Sequence, residues 1–332
     1  MASLPDLSAP PGLDDIQRPV QEQLDGVVDE LRRIIVSDFD LIEEVNQYLL
    51  LLQGKLLRPA LLLLSNRVCG PQDPRAIRLA AVVELVHLAT LVHDDAVDHS
   101  VLRRGQPTVN SVWSHQVAII MGDYLYSRAI IELADVGSQV ATRVMARAAN
   151  EMSVGEMRQL TSYDALAFTE SDYDRLIAAK TASLMSAACE LGALVGRESF
   201  RGPMAAFGHN LGMAFQIADD LLDYTGTADV TGKPTGHDLR ERKVTLPLVG
   251  AIQRASGEQM SVIRELFTRV DPTDDEIESV VELVKELGGL EYARKKADRY
   301  AYAALKALDG LPEGQELEVL RASVAYATQR NR

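Results

Sequence analysis

Hydrophobic residues recur along this chain with a helical period almost from end to end. From Ile16 to Ile35 the positions Val20, Leu24, Val27, Val28, Leu31, Ile34 and Ile35 form one stripe, the spacing of an amphipathic helix. Ser37-Asp38 offers a capping residue for a second helix through Leu52. In G-K-L-L-R-P, Gly54 to Pro59, the proline stands near the start of a very apolar helix that stops at Gly70-Pro71. A long helix from about Pro74 to Asp98 follows, then a polar loop, R-R-G-Q-P-T, from Arg103 to Thr108. Further helices are expected to about Ala134, from Ser138 to Leu160, from Asp172 to Val195 and from Met204 to Tyr224. Thr225 to Lys243 is the most loop-like stretch. The tail is helical again, with a capping box at Thr273 and Glu276 and a stop at Gly288-Gly289. No strand-length alternation with hairpin turns and no internal repeat interrupts this pattern. No Ser/Gly-rich linker divides it either. The expectation is a single all-α domain over residues 16–332 behind a loose N-terminal arm, residues 1–15.

Composition narrows the function. The 332 residues are 47% hydrophobic and 25% charged, ordinary for a globular chain with a sizeable core. A formal net charge of -14 argues against a non-specific nucleic-acid binder, which needs a basic face. No uninterrupted run of eighteen or more apolar residues occurs, so no membrane span is expected. The N-terminus has neither the basic start nor the apolar core of a signal peptide. Cys69 and Cys189 lie in apolar helical contexts, which suggests a reduced, cytoplasmic setting without a metal framework of thiolates.

Candidate chemistry sits at two helix ends. Val83 to Asp98 reads V-E-L-V-H-L-A-T-L-V-H-D-D-A-V-D, an apolar helix ending in Asp94, Asp95 and Asp98. Asp94 and Asp98, four residues apart, share a face, with His87 about two turns back. Gly212 to Tyr224 repeats the D-D-x-x-D spacing in Asp219, Asp220 and Asp223, with Gln216 one turn before. Two such helices facing each other would gather six carboxylates at one end of a bundle. Unit charges about 6 Å apart repel by roughly 3 kcal/mol at an effective dielectric near 20, whereas a divalent ion about 4 Å away attracts each by roughly 8 kcal/mol. A single D-D-x-x-D can also be a solvated helix end; two, each ending an apolar helix, read as a metal clamp. Hard carboxylate oxygens without Cys favour magnesium shared with substrate phosphates. Lys55, Arg58, Arg103, Arg104, Lys180, Lys233 and Lys243 are candidate phosphate binders.

In their order along the chain, G-K-L-L-R-P, H-D-D-A-V-D, R-R-G-Q-P-T, G-D-Y-L-Y-S-R-A, K-T-A-S-L, F-Q-I-A-D-D-L-L-D-Y, G-K-P-T-G-H-D-L and K-V-T-L-P-L resemble the trans-prenyltransferases, or polyprenyl diphosphate synthases. The resemblance runs from Gly54 to the C-terminus. It implies an all-α bundle around a deep cavity (the isoprenoid synthase fold) and a homodimer. It also implies condensation of isopentenyl diphosphate with an allylic diphosphate (farnesyl, geranyl or geranylgeranyl). The six aspartates would hold Mg2+, three ions once diphosphate is bound, with Mn2+ as a substitute. Gly54, Lys55, Arg58, His87 and Arg104 would bind isopentenyl diphosphate. Arg103, Lys180, Thr181, Gln216, Lys233 and Lys243 would surround the allylic diphosphate and the developing cation, and Asp238 matches a further acidic position near the metal. The released diphosphate would take the final proton, so no side-chain nucleophile is required.

In this family product length is set largely four and five residues before the first Asp, here Thr90 and Ala89. Helical geometry alone favours Thr90 and Leu91 as cavity-facing; the weight on Ala89 comes from the resemblance. Both Ala89 and Thr90 are small, so a long-chain product of the octaprenyl to decaprenyl class is expected, with the floor deeper, at Ile130 or Leu133. A geranylgeranyl or farnesyl diphosphate synthase is the alternative within the family. Outside it, His93-Asp94 spells the His-Asp pair of an all-α metal-dependent phosphohydrolase. That reading leaves the second acidic motif unexplained. A terpene cyclase would carry an N-D-x-x-S-x-x-x-E type second motif, which Asp219 to Asp223 lacks, and a non-catalytic subunit can lose the acids kept here. The hydrophobic product implies membrane contact that is at most transient, because the acidic chain offers no basic amphipathic anchor.

Overall fold

The computed structural model describes residues 11–52, 54–160, 165–225 and 235–328. The N-terminal stripe is not one helix. Pro19, which lacks an N–H, sits in a 3-10 turn, Arg18–Val20, between α1 (Leu13–Gln17) and α2 (Gln21–Ile34). The residues expected to form an arm thus include the start of α1, where Ile16 is already fully buried. α3 (Asp40–Leu51) begins after Phe39, two residues beyond the expected cap, and Ser37 Oγ accepts from the Phe39 N–H at 3.2 Å. α4 (Leu57–Cys69) and α5 (Pro74–Val97) follow, the latter capped by Asp73 with Pro74 in its first turn.

The polar loop after α5 is a small antiparallel hairpin, β1 (Leu102–Arg103) and β2 (Gln106–Pro107), with Arg103 paired to Gln106. Its two turn residues, Arg104 and Gly105, have φ of 52° and 76°, as a two-residue type I′ connection requires. Then come α6 (Val109–Val112), α7 (His115–Val136), α8 (Gln139–Leu160) and α9 (Glu170–Ile177). The helix expected over Asp172 to Val195 is interrupted by a π-helical turn, Ala178–Ala182, before α10 (Ser183–Val195). α11 (Arg201–Thr225) carries the second acidic motif. The C-terminal part comprises α12 (His237–Arg240), α13 (Leu246–Ile252), α14 (Gly257–Thr268), α15 (Asp274–Glu286), α16 (Gly289–Ala307) and α17 (Gln315–Thr328). The capping box at Thr273 and Glu276 forms as expected.

α5 packs on α7, α4 on α10, α10 on α11 and α11 on α16. The main core runs through α2, α4, α5, α7, α8, α10, α11 and α17. A second cluster lies under α12 to α15, and a third joins α9, the π turn, α11 and α16 beneath the second acidic motif. Gly212 brings α11 against the π turn: a β-carbon there would lie 2.6 Å from Ala182 Cα.

α5 is long and apolar enough to cross a membrane, with a mean hydropathy of 1.6 over its most apolar window. Glu84 and His87 break its apolar run, and 61% of that window is buried, as in a core helix. The outer face of α7 is also apolar. Ile119, Ile120, Ile130 and Ile131 are 42%, 60%, 49% and 47% exposed, and an eleven-residue offset, about three turns, puts both pairs on one side.

Candidate active site

The two acidic motifs are joined by the π turn. Lys180 Nζ stands 3.9 Å from Asp94 Oδ2 at the end of α5. Its neighbour Thr181 donates to Gln216 Oε1 on α11 at 2.8 Å, so consecutive residues of one turn reach both motifs. π turns rearrange side-chain directions within a helix and recur at functional sites. Lys180 also pairs with Glu156 and donates to Gln159 Oε1 at 3.2 Å. Across the site, Lys243 pairs with Glu241 at 2.6 Å and feels the charges of both Asp98 and Asp238. Burial works to lower the Lys243 ammonium, but these acids keep it raised.

The six carboxylates differ in their surroundings. Asp95 is 6% exposed, and both its oxygens are held by Arg103, at 2.8 and 3.0 Å from Nε and 2.8 Å from Nη2. Asp220 is 7% exposed; Tyr173 donates to its Oδ2 at 2.5 Å and Gln216 Nε2 to its Oδ1 at 2.9 Å. Asp223 accepts from the backbone N–H groups of His237 and Asp238 at 3.1 and 3.0 Å, so it pins the start of α12. Asp95, Asp220 and Asp223 thus each engage a neighbouring element of the site. Arg103 is likewise committed to Asp95 instead of standing ready for phosphate with its whole guanidinium.

Burial, together with Glu156 and Asp98, raises Asp94 to about 6 against the pull of Lys180 and Arg103. Burial and the neighbouring Asp223 raise Asp238 to about 7. Burial and Asp238 push Asp220 well above the carboxylate range. Among the described residues no three His, Cys, Asp or Glu side chains converge into a ready-made metal cage. The donor set still fits magnesium. All its donors are oxygen, Asp94 and Asp220 are raised first by burial and then by neighbouring acids, and such ions are commonly held by one or two carboxylates plus substrate phosphates.

Beside the first motif lies a cavity of about 210 Å³, lined by Gly54, Glu84, His87, Arg103 and Arg104 among others. Arg58 Nη1 lies 3.1 Å from His87 Nε2. Because a guanidinium only donates, Nε2 accepts and His87 is neutral, leaving Nδ1–H as a donor. Burial, then the charges of Arg58, Arg104 and Arg103, push the imidazole well below its ordinary pKa. Lys55 is exposed at the start of α4, and Lys233 lies outside the described residues.

Ala89 is buried on α5, and Thr90 is half-buried with its hydroxyl turned back to the His87 carbonyl at 2.7 Å. Leu133 is buried, but Ile130 lies on the exposed face of α7 and is not part of an enclosed floor within one chain. His93 does not join Asp94 in a metal-binding pair: its Nε2 faces the Ile119 carbonyl at 3.1 Å and Asp123 at 3.3 Å.

Sequence reading missed Glu84, Glu156, Gln159 and Tyr173. Each had a signal. Glu84 is a lone acid in an apolar run, one turn before His87. Glu156 and Gln159 share a helix face. Tyr173 precedes Lys180 by two turns. Lys296, 6% exposed on α16, ties down Glu170 and Asp174 on either side of Tyr173.

The polyprenyl synthetase family model matches residues 39–284. The all-trans-nonaprenyl-diphosphate synthase (geranyl-diphosphate specific) of Rhodobacter capsulatus is 38% identical over 308 residues, 92% of this chain and 94% of that protein. Among solved structures, a decaprenyl diphosphate synthase from Rhodobacter capsulatus superposes with a TM-score of 0.91 at 36% identity, covering 97% of this chain and 100% of that one. A polyprenyl synthase from Caulobacter crescentus CB15, complexed with calcium and isoprenyl diphosphate, gives 0.90 at 33% identity, covering 96% and 98%.

Proposed function

The chain belongs to the polyprenyl synthetase family, and we propose that it joins isopentenyl diphosphate head-to-tail to an allylic diphosphate, repeating the step to a long all-trans polyprenyl diphosphate. Members of the family are metal-dependent transferases acting on these two substrate classes. The observation that carries the reading is the π turn, whose Lys180 faces the first acidic motif while Thr181 bonds Gln216 of the second. One domain, from residue 16 onward, supplies the whole site.

Asp94, Asp98 and Asp219 would hold the magnesium, three ions with diphosphate bound. Magnesium supplies charge neutralisation on the departing diphosphate. Lys180 and Lys243 add fixed positive charge beside the same leaving group, and Lys233 would join them. The Thr181 hydroxyl hydrogen is spent on Gln216, which leaves its oxygen as a negative dipole end for the allylic carbon as it becomes cationic. Arg58, Arg104 and neutral His87 would hold isopentenyl diphosphate from the other side, with Lys55 at the entrance. Asp95, Asp220 and Asp223 keep Arg103, Tyr173 and α12 in place. Diphosphate itself takes the proton lost in the final step.

A long product is supported by the small side chains at Ala89 and Thr90 and by relatives named for nonaprenyl and octaprenyl products. The exposed isoleucines of α7 support a homodimer through that face, since a contiguous apolar patch is a common protein interface. A reduced cytoplasmic setting is supported by the buried free thiols of Cys69 and Cys189, which burial raises to about 12. The test is direct. The protein is incubated with isopentenyl diphosphate, magnesium and geranyl, farnesyl or geranylgeranyl diphosphate, and the dephosphorylated products are sized. Failure to elongate every primer overturns the proposal; a product stopping at geranylgeranyl overturns the chain-length part alone.

A further inference from the structure

Glu84 is a buried carboxylate in a pocket that otherwise collects positive charge. It is 7% exposed and lines the cavity shared by His87, Arg103 and Arg104. Its oxygens border the cavity and, among the described residues, have no hydrogen bond; burial raises its carboxyl, and the charges of Arg58 and Arg104 pull it back toward the ionised form. A β-carbon on Gly54 would stand 3.3 Å from Glu84 Oε1 and 3.5 Å from Arg104 Nη1. The acid and the guanidinium therefore converge on one gap over the Gly54 backbone. Arg58, on the same side, spends Nη1 on His87 and leaves Nε buried without a partner.

Two guanidiniums gathered for one anion repel each other; burial acts most strongly against the charged form of Arg58, the Glu84 charge favours it, and the Arg104 charge opposes it. Arg104 is also held at a positive φ of 52° at the tip of its hairpin, a conformation that an Arg side chain adopts at some cost. His87 holds one end of Arg58, and the charges of both guanidiniums act on Glu84. Glu84 is the acid placed to keep both facing the gap.

We infer that Glu84, in its ionised form, is a positioning residue that holds Arg58 and Arg104 toward the Gly54 gap and so preorganises the pocket for the diphosphate of the isopentenyl substrate. This rests on the assignment of that pocket made above. Glu84 touches neither reacting carbon; it acts through the two guanidiniums. Its removal therefore weakens binding of one substrate and leaves the chemical step and the other substrate untouched.

The test is steady-state kinetics on wild type, Glu84→Gln and Glu84→Asp. Each substrate is varied in turn while the other is saturating, and folding is checked by circular dichroism. Glu84→Gln keeps the volume and removes the charge. It should raise KM for isopentenyl diphosphate by about tenfold or more, with kcat and the allylic KM within about twofold of wild type. Glu84→Asp, which keeps the charge on a shorter stem, should fall between; if Glu84→Gln does not fold, the same split is read from Glu84→Asp. An unchanged KM in Glu84→Gln would show that a neutral group suffices and overturns the inference. Equal rises for both substrates, or a fall in kcat alone, overturns it too. A wild type that elongates no primer sinks the functional reading and this inference with it, whereas an active wild type beside a silent Glu84→Gln sinks the inference alone.

Discussion

Replacing Asp94 by Asn should stabilise the metal-free protein while abolishing its activity. Asp94 rises from 3.8 to about 6 in the fold, chiefly through burial and then through Glu156 and Asp98. A rise of about two units at 1.36 kcal/mol each corresponds to roughly 3 kcal/mol against folding when the group is ionised. The side chain keeps 28% exposure, so solvent screening reduces this to about 1–2 kcal/mol. For a chain of this size an entropy of unfolding near 2.1 cal/mol/K per residue converts that to a gain of about 1.5–3 °C in Tm. The sign follows from proton linkage. The fold binds the proton more tightly than the unfolded chain, so the cost is full above pH 6, shrinks as pH falls through the window from 6 to 3.8 and vanishes below it. Asn never carries the charge. Its advantage should therefore be largest near pH 7.5 and roughly halved near pH 5. Lys180 is not orphaned by the change, because Glu156 still holds it. Thermal melts of both proteins in EDTA at the two pH values measure the effect. Magnesium with inorganic diphosphate should then raise the wild-type Tm and leave the variant nearly unmoved. A variant that melts lower than wild type in EDTA, or whose gain is independent of pH, refutes the reasoning.

Three further outcomes follow from the geometry. Ala89→Phe should shorten the product by several isoprene units at similar primer turnover, read by sizing dephosphorylated products; an unchanged length distribution removes Ala89 from the channel. Tyr173→Phe deletes the donor to a buried carboxylate and should cost about 1.5–3 kcal/mol in denaturant melts, with turnover reduced; a loss below about 0.5 kcal/mol means that Asp220 finds another donor. Ile120→Glu with Ile131→Glu places two charges on the apolar face of α7 and should convert a dimer to a monomer on analytical ultracentrifugation. A dimer of unchanged affinity would move the interface elsewhere.

How much of this was legible in the sequence depends on the distance over which a partner acts. Helices were legible because the 3.6-residue period is local, and errors fell where one residue overrides it, as at Pro19, or where the ladder shifts register, as in the π turn at Ala178–Ala182. The hairpin of Arg103 to Gln106 went unseen because an Arg-Gly turn lacks the Asn-Gly signal. The partners of the buried acids were harder still, since Tyr173 lies 47 residues from Asp220 and nothing local announces the pair. The division of labour within each D-D-x-x-D, however, was written in the spacing. Residues i and i+4 on a helix differ by about 40° and share a face, whereas i+1 is turned by about 100°. The middle acid of each motif lies about 100° from the first and about 60° from the last, so it is turned toward a neighbouring element as well as toward its own motif. In α5 that turn delivers Asp95 to Arg103, and in α11 it delivers Asp220 to Tyr173 and Gln216. The last acid of the second motif engages a neighbouring element too, because the N–H groups of His237 and Asp238 reach it, and α12 hangs from that contact. An acidic motif of this kind encodes an ion site together with the anchor that keeps it rigid, and removing the middle acid should loosen the site without emptying it.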